Sequence, residues 1–283
     1  MAQAGSSSAT PLPPGHGCLH ALKLLGVFTG MTFLLAAVAS VVVTPWVGLS
    51  WWKVFRRCVS IGAALSLWYC VTRIEQRSIR SYGLPVGQGA SEIFRGVWLG
   101  AAGLGLLVGL GLTMRLCQIH ITPDHAKLWR TVIGFIPGAL LVSVLEELVF
   151  RGFVLQQLLR CSGTLAVVTS SMVYALVHVR SGAFGLMVGR ELVGLFLLGL
   201  VLACCALRTQ RLYLAIGLHA VFAYGARVNK VVLSIPSESL VWLTGTSRLI
   251  NGVASWGLLG VVALVVLWWT RSAQQGGLQH GQV

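Results

Sequence analysis

Long apolar runs dominate this sequence, and several reach or exceed the ~20 residues that a helix needs to cross a bilayer. They fall at about 22–43, 55–72, 96–115, 130–155, 163–180, 184–207, 211–226 and 250–270. Charged residues make up only 10% of the chain and hydrophobic ones 56%. A soluble domain carries roughly 25% charged residues, so this chain lacks the polar surface to coat a water-soluble globule. The expected fold is all-α, a polytopic membrane bundle of about eight transmembrane helices, because in lipid each backbone amide must be satisfied within its own segment.

Residues 1–21 read as a disordered N-terminal tail, 22–271 as a membrane domain and 272–283 as a polar C-terminal tail. The start lacks the basic segment, short apolar stretch and cleavage site of a secretory signal. The net charge is +14, from 21 Lys+Arg against 7 Asp+Glu. These basic residues stand singly or in small groups at the ends of apolar runs, as with Lys53, Arg56 and Arg57, then Arg73, Arg77 and Arg80. Anionic lipid headgroups attract such residues by ~1 kcal/mol each. Membrane lipids are therefore the expected partner, and nucleic acid is not. Basic residues divide almost evenly between the two sides of the bundle. The expectation is that both termini lie in the cytoplasm, and that the location is a bacterial cytoplasmic membrane.

Smaller signals refine the spans. Gly96, Gly100, Gly103, Gly105 and Gly109 on the third span predict close helix packing. Pro137-Gly138 predicts a kink or a helix start. Trp51, Trp52, Trp268 and Trp269 sit near span ends, where an aromatic belt belongs. Residues 73–95 and 228–249 read as polar connections, the second with an interfacial piece. The seven cysteines show no CxxC and no metal-like spacing, so no disulfide framework is expected.

Ionisable groups within apolar sequence carry the chemical argument. A charge at the bilayer centre costs about 2.5–3.5 kcal/mol on insertion scales, so such residues face a cavity or one another. The first set is Glu146, Glu147 and Arg151. At 3.6 residues per turn Glu147 and Arg151 lie about 40° apart, acid before base, while Glu146 points about 100° away from Glu147. One carboxylate then has a counter-ion on its own helix, and the other is available as a general base. The second set is Ser171, Tyr174 and His178, a polar stripe on one helix face. The third is His219, which stands among apolar neighbours. Two imidazoles and a carboxylate can activate water for attack on a carbonyl, by general-base and oxyanion chemistry or through a metal.

Glu146-Glu147-x-x-x-Arg151, Tyr174-x-x-x-His178 and His219 resemble the EExxxR, FxxxH and HxxxN/D motifs of the CAAX protease and bacteriocin-processing (CPBP, Abi) family. The resemblance covers about 130–226. It implies an intramembrane glutamic endopeptidase with a cavity open to the cytoplasm, acting on a membrane-associated peptide or protein. In that scheme Glu146 activates water with help from His178, Glu147 and Arg151 order the site, and His219 helps to stabilise the oxyanion. The scheme needs no cofactor.

Two positions depart from the pattern. Tyr174 stands where the family has Phe and adds a hydroxyl. Ala223 stands where it has Asn or Asp, and an amide donor to an oxyanion is worth about 3–4 kcal/mol. Tyr224 and Ser171 are candidate substitutes. Three other readings follow from the same residues. A catalytically weak scaffold or immunity protein would bind a membrane partner, and a transporter would use the Glu/His set as a proton relay. A zinc enzyme would take Glu146, His178 and His219 as ligands.

Overall fold

The computed structural model describes residues 14–87, 89–178, 185–235, 241–246 and 249–279, with side chains described within 17–270. Helix α1 (Pro14–Val47) turns sharply into α2 (Trp51–Tyr69), which continues as a π-helical turn over Cys70–Ile74. A short 3₁₀ segment, Ile79–Tyr82, leads to α3 (Gly89–Thr113). There follow strand β1 (Gln118–Ile119), α4 (His125–Val132) and α5 (Ile136–Glu147), which runs through a π-helical segment, Leu148–Val154, into α6 (Leu155–Leu159). The chain closes with α7 (Gly163–His178), α8 (Leu186–Thr209), α9 (Tyr213–Val232), β2 (Leu233–Ser234), α10 (Val241–Thr244) and α11 (Val253–Gln279).

The protein is a polytopic helical membrane protein, and each expected span falls on a helix. The expected count of eight spans is not reproduced. Among the described residues five helices are long and apolar enough to cross: α1, α2 with its π turn, α3, α8 and α11. A sixth span is made if α4 and the α5–α6 unit count as one, broken by a 42° bend. Helix α7 is short at 16 residues, and α9 carries Arg227 and Lys230 in its final turns.

Other boundaries also move. Helix α1 begins at Pro14 rather than 22, so the expected tail is helical from there, and the rest of it lies outside the described residues. Pro137 sits at the start of α5, where its missing N–H costs nothing. The connection expected from 228 instead begins as the end of α9. It then pairs antiparallel with the loop after α3, Gln118 opposite Ser234 and Ile119 opposite Leu233. His120 and Thr122 extend this ladder, donating to Val232 and Val231 carbonyls at 2.9 Å.

Two helix contacts fix the position of α9. Gly96 of α3 faces the backbone of α9 so closely that a Cβ would meet Leu214 O and, at 2.8 Å, Leu218 N. Reciprocally, a Cβ on Gly217 would meet Ile93 O and, at 2.9 Å, Val97 N. Only glycine allows this approach. Gly100 and Gly103 also pack against neighbouring helices, whereas Gly105 and Gly109 face open space, contrary to the expectation for all five.

One end of the bundle gathers the start of α1, the end of α2, the starts of α3 and α9, and the end of α11. Salt bridges Arg160–Glu75 and Arg211–Glu92, both 2.9 Å, lie there, with Arg95 over the Trp269 ring at 5.2 Å. A disulfide joins Cys18 to Cys161 at the same end. That pairing corrects the expectation of no disulfide. It joins residues 143 apart in sequence, which spacing alone does not reveal. The opposite end holds the α1–α2 turn, the β ladder and α4.

Candidate active site

Glu147 is the last residue of α5, and the π-helical segment that follows places Arg151 beneath it. Arg151 Nη1 donates to Glu147 Oε1 at 2.8 Å, and Nη2 donates to the carbonyl of Gly199 on α8 at 3.2 Å. The guanidinium also lies 4.4 Å from the centroid of the Tyr174 ring. The Glu147–Arg151 pair is fully withdrawn from solvent, so each charge depends on its partner. Gly199 can serve because α7 and α8 touch there: a Cβ on it would meet Ser171 Cβ at 2.9 Å.

His219 is carried by α9 two residues after the glycine that meets α3. Its Nδ1 lies 2.8 Å from Glu147 Oε1, the oxygen already bound by Arg151. A carboxylate only accepts, so Nδ1 carries the proton. On the far side of the ring, Nε2 is 3.3 Å from the Tyr174 hydroxyl and 3.5 Å from Glu146 Oε2.

Glu146 turns the other way. Its Oε2 is 3.1 Å from His178 Nε2, and His178 Nδ1 is 2.7 Å from the carbonyl of Tyr174, one turn earlier on α7. A carbonyl only accepts, so Nδ1 donates and a proton must lie between His178 Nε2 and Glu146. The pair is equipped to take and return a proton. Unlike Glu147, these two side chains retain about a quarter of their exposure, 25% for Glu146 and 28% for His178. They line a cavity of about 900 Å³ together with Tyr174, His219 and Ala223.

The structure therefore brings Glu146, Glu147, Arg151, His178 and His219 into one hydrogen-bonded constellation. It does not bring in the two substitutes considered for Ala223. The Tyr224 hydroxyl donates to Val132 O at 2.9 Å. The Ser171 hydroxyl is buried, has no hydrogen-bond partner among the described residues and does not line the cavity. Sequence reasoning missed the Gly199 carbonyl, which carries no side-chain signal, and the contact between the Tyr174 hydroxyl and His219. Among the described residues no group of three or more His, Cys, Asp or Glu is arranged to hold a metal ion.

Residues 128–225 match the Rce1-like family, described as type II CAAX prenyl endopeptidase Rce1-like. The resemblance read from the motifs is thus shown over that segment. The Rce1-like segment runs from α4 to α9 and contains every residue of the constellation, while α1 to α3 and α11 lie outside it. Comparison with curated proteins and with solved structures gives no match.

Proposed function

We propose that this protein is an intramembrane endopeptidase that hydrolyses a peptide bond in a membrane-associated protein or peptide. One observation carries the reading: Glu146 Oε2, exposed to the cavity, lies within 3.1 Å of His178 Nε2 and 3.5 Å of His219 Nε2. A water held against Glu146 loses its proton to the Glu146–His178 pair as its oxygen attacks the carbonyl carbon. The pair then returns a proton to the departing amine. Glu147 and Arg151 take no part in proton transfer; they hold His219 and the turn of helix that carries Glu146. The chemistry is metal-free in this proposal. The match to a CAAX prenyl endopeptidase family model supports the peptidase class and a membrane-bound substrate.

The test is cleavage of a prenylated CAAX peptide and of a mixed peptide library by the purified protein in lipid vesicles. Glu146→Gln keeps the shape and removes the base, and is expected to lower kcat by at least about 10²–10⁴ while the protein still folds. Treatment with a chelator is expected to leave cleavage intact. A Glu146→Gln protein that cuts at the wild-type rate would reject the assignment, and one whose biological effect persists without cleavage would favour a binding scaffold.

A further inference from the structure

Besides Glu146, one residue touches both imidazoles. Tyr174 offers its backbone carbonyl to His178 Nδ1 at 2.7 Å and its hydroxyl to His219 Nε2 at 3.3 Å. Its ring is clamped, edge-on to Phe150 at 5.2 Å between centroids and under the Arg151 guanidinium at 4.4 Å. The side chain is 2% exposed, yet it reaches the cavity lined by Glu146. This is a held hydroxyl at a reacting centre, and its role follows from counting protons.

His219 spends its Nδ1 proton on Glu147 Oε1 at 2.8 Å. In the neutral ring Nε2 is then a bare acceptor, which cannot donate to an oxygen bearing negative charge. With the ring in that form, the donor across the 3.3 Å contact is the hydroxyl of Tyr174. That hydroxyl and Glu146 Oε2 both lie within 3.5 Å of the same nitrogen, so an oxygen forming beside Glu146 falls within its reach. Ala223, one turn beyond His219 on α9, faces the same cavity with only a methyl group.

We propose that Tyr174 is the oxyanion donor of this site and a catalytic residue, supplying the hydrogen bond that position 223 does not. The proposal rests on the peptidase reading above. As water attacks, its proton passes to the Glu146–His178 pair and the carbonyl π electrons move onto the carbonyl oxygen. The Tyr174 O–H swings from His219 Nε2 to that oxygen without giving up its proton. When the C–N bond breaks, the electrons return to re-form the carbonyl, the pair protonates the amine, and the hydroxyl goes back to His219.

The experiment compares wild type, Glu146→Gln, Tyr174→Phe, Ala223→Asn and the Tyr174→Phe/Ala223→Asn double variant, in vesicles with a prenylated CAAX peptide. Tyr174→Phe is expected to lower kcat about 10²–10³-fold with KM little changed. Ala223→Asn, whose amide enters the same space, is expected to restore kcat at least ~10-fold in the Tyr174→Phe background and to add little to wild type. Wild-type kcat in Tyr174→Phe, or the same effect of Ala223→Asn in both backgrounds, overturns the proposal. If wild type fails to cleave, or Glu146→Gln cleaves as well as wild type, the peptidase reading falls instead. Should Tyr174→Phe fold poorly, a fluorotyrosine at 174, whose hydroxyl is more acidic, is read in its place. Its kcat is expected to differ from the wild-type value with KM little changed, and a kcat equal to wild type overturns the proposal.

Discussion

Arg151 Nη1 lies 2.8 Å from Oε1 of Glu147, one turn earlier in the chain, and solvent reaches neither side chain. The same carboxylate oxygen takes His219 Nδ1 at 2.8 Å, so a single acceptor ties the π-helical segment after α5 to α9. The two donors approach from different helices, which makes this oxygen a structural junction as much as a part of the site.

Removing one member of a buried pair strands the other charge and costs about 3–5 kcal/mol. Arg151→Ala is therefore expected to lower Tm and the yield of monodisperse protein before any assay of activity. Arg151→Lys keeps the charge but loses the second nitrogen that reaches Gly199 O at 3.2 Å, and should fall between. Thermal unfolding followed by size-exclusion chromatography reads both, and an Arg151→Ala protein that melts with wild type would remove the pair's structural role.

Glu146 and His178 should behave differently, because they face the cavity rather than the core. His178→Ala is expected to lower cleavage by about 10²–10⁴ with Tm nearly unchanged, since no buried charge is stranded. A fall in Tm as large as that of Arg151→Ala would show that the cavity-facing pair also holds the fold. The comparison separates the chemistry of one carboxylate from the architecture of its neighbour.

The glycines of the α3–α9 contact offer a matched pair of substitutions. Gly217→Ala drives a Cβ into Ile93 O, a backbone atom that no rotamer change can move aside. Overpacking of this kind costs about 1–3 kcal/mol, and here it displaces the helix that carries His219. Gly109→Ala on the same α3 meets nothing within 4 Å and should be neutral or slightly stabilising. A lower Tm for the first and not the second is the expected result; equal effects would mean that the close approach does not constrain the bundle.

These particulars show which parts of the molecule the sequence carries on its face. The Glu147–Arg151 bond is local, set by helix periodicity, and could be read from spacing alone. The divergence of Glu146 from Glu147 is legible for the same reason. His178 and His219 could be flagged by their apolar surroundings, but their meeting at Glu146 depends on glycine contacts between helices far apart in sequence. The π-helical segment over Leu148–Val154 leaves no distinctive composition behind, whereas the start of α5 after the bend is marked by Pro137-Gly138. The count of eight rests on apolarity, which marks buried helices as readily as lipid-facing ones, and among the described residues five or six helices meet the length and composition of a span. Tyr174 could be seen as a departure from a motif, but only the 3.3 Å contact to His219 Nε2 gives its hydroxyl a task.

Orientation supplies the last prediction. The sequence led to cytoplasmic termini, while the family resemblance implied a cavity open to the cytoplasm. The chain begins α1 at one end of the bundle, and the basic residues that line the cavity, Arg56, Arg227 and Lys230, lie towards the other. The Cys18–Cys161 disulfide lies at the end where α1 starts. Disulfides persist in oxidising compartments and are rare where glutathione keeps thiols reduced. That end is therefore expected outside the cytoplasm, leaving the charged end of the cavity on the cytoplasmic side. A tag fused after Val283, beyond the end of α11, should be digested by protease added to the non-cytoplasmic face of the sealed membrane. Both cysteines should react with a maleimide only after reduction. A tag that survives until the membrane is permeabilised would place the chain ends in the cytoplasm, with Cys18 and Cys161 as free thiols there.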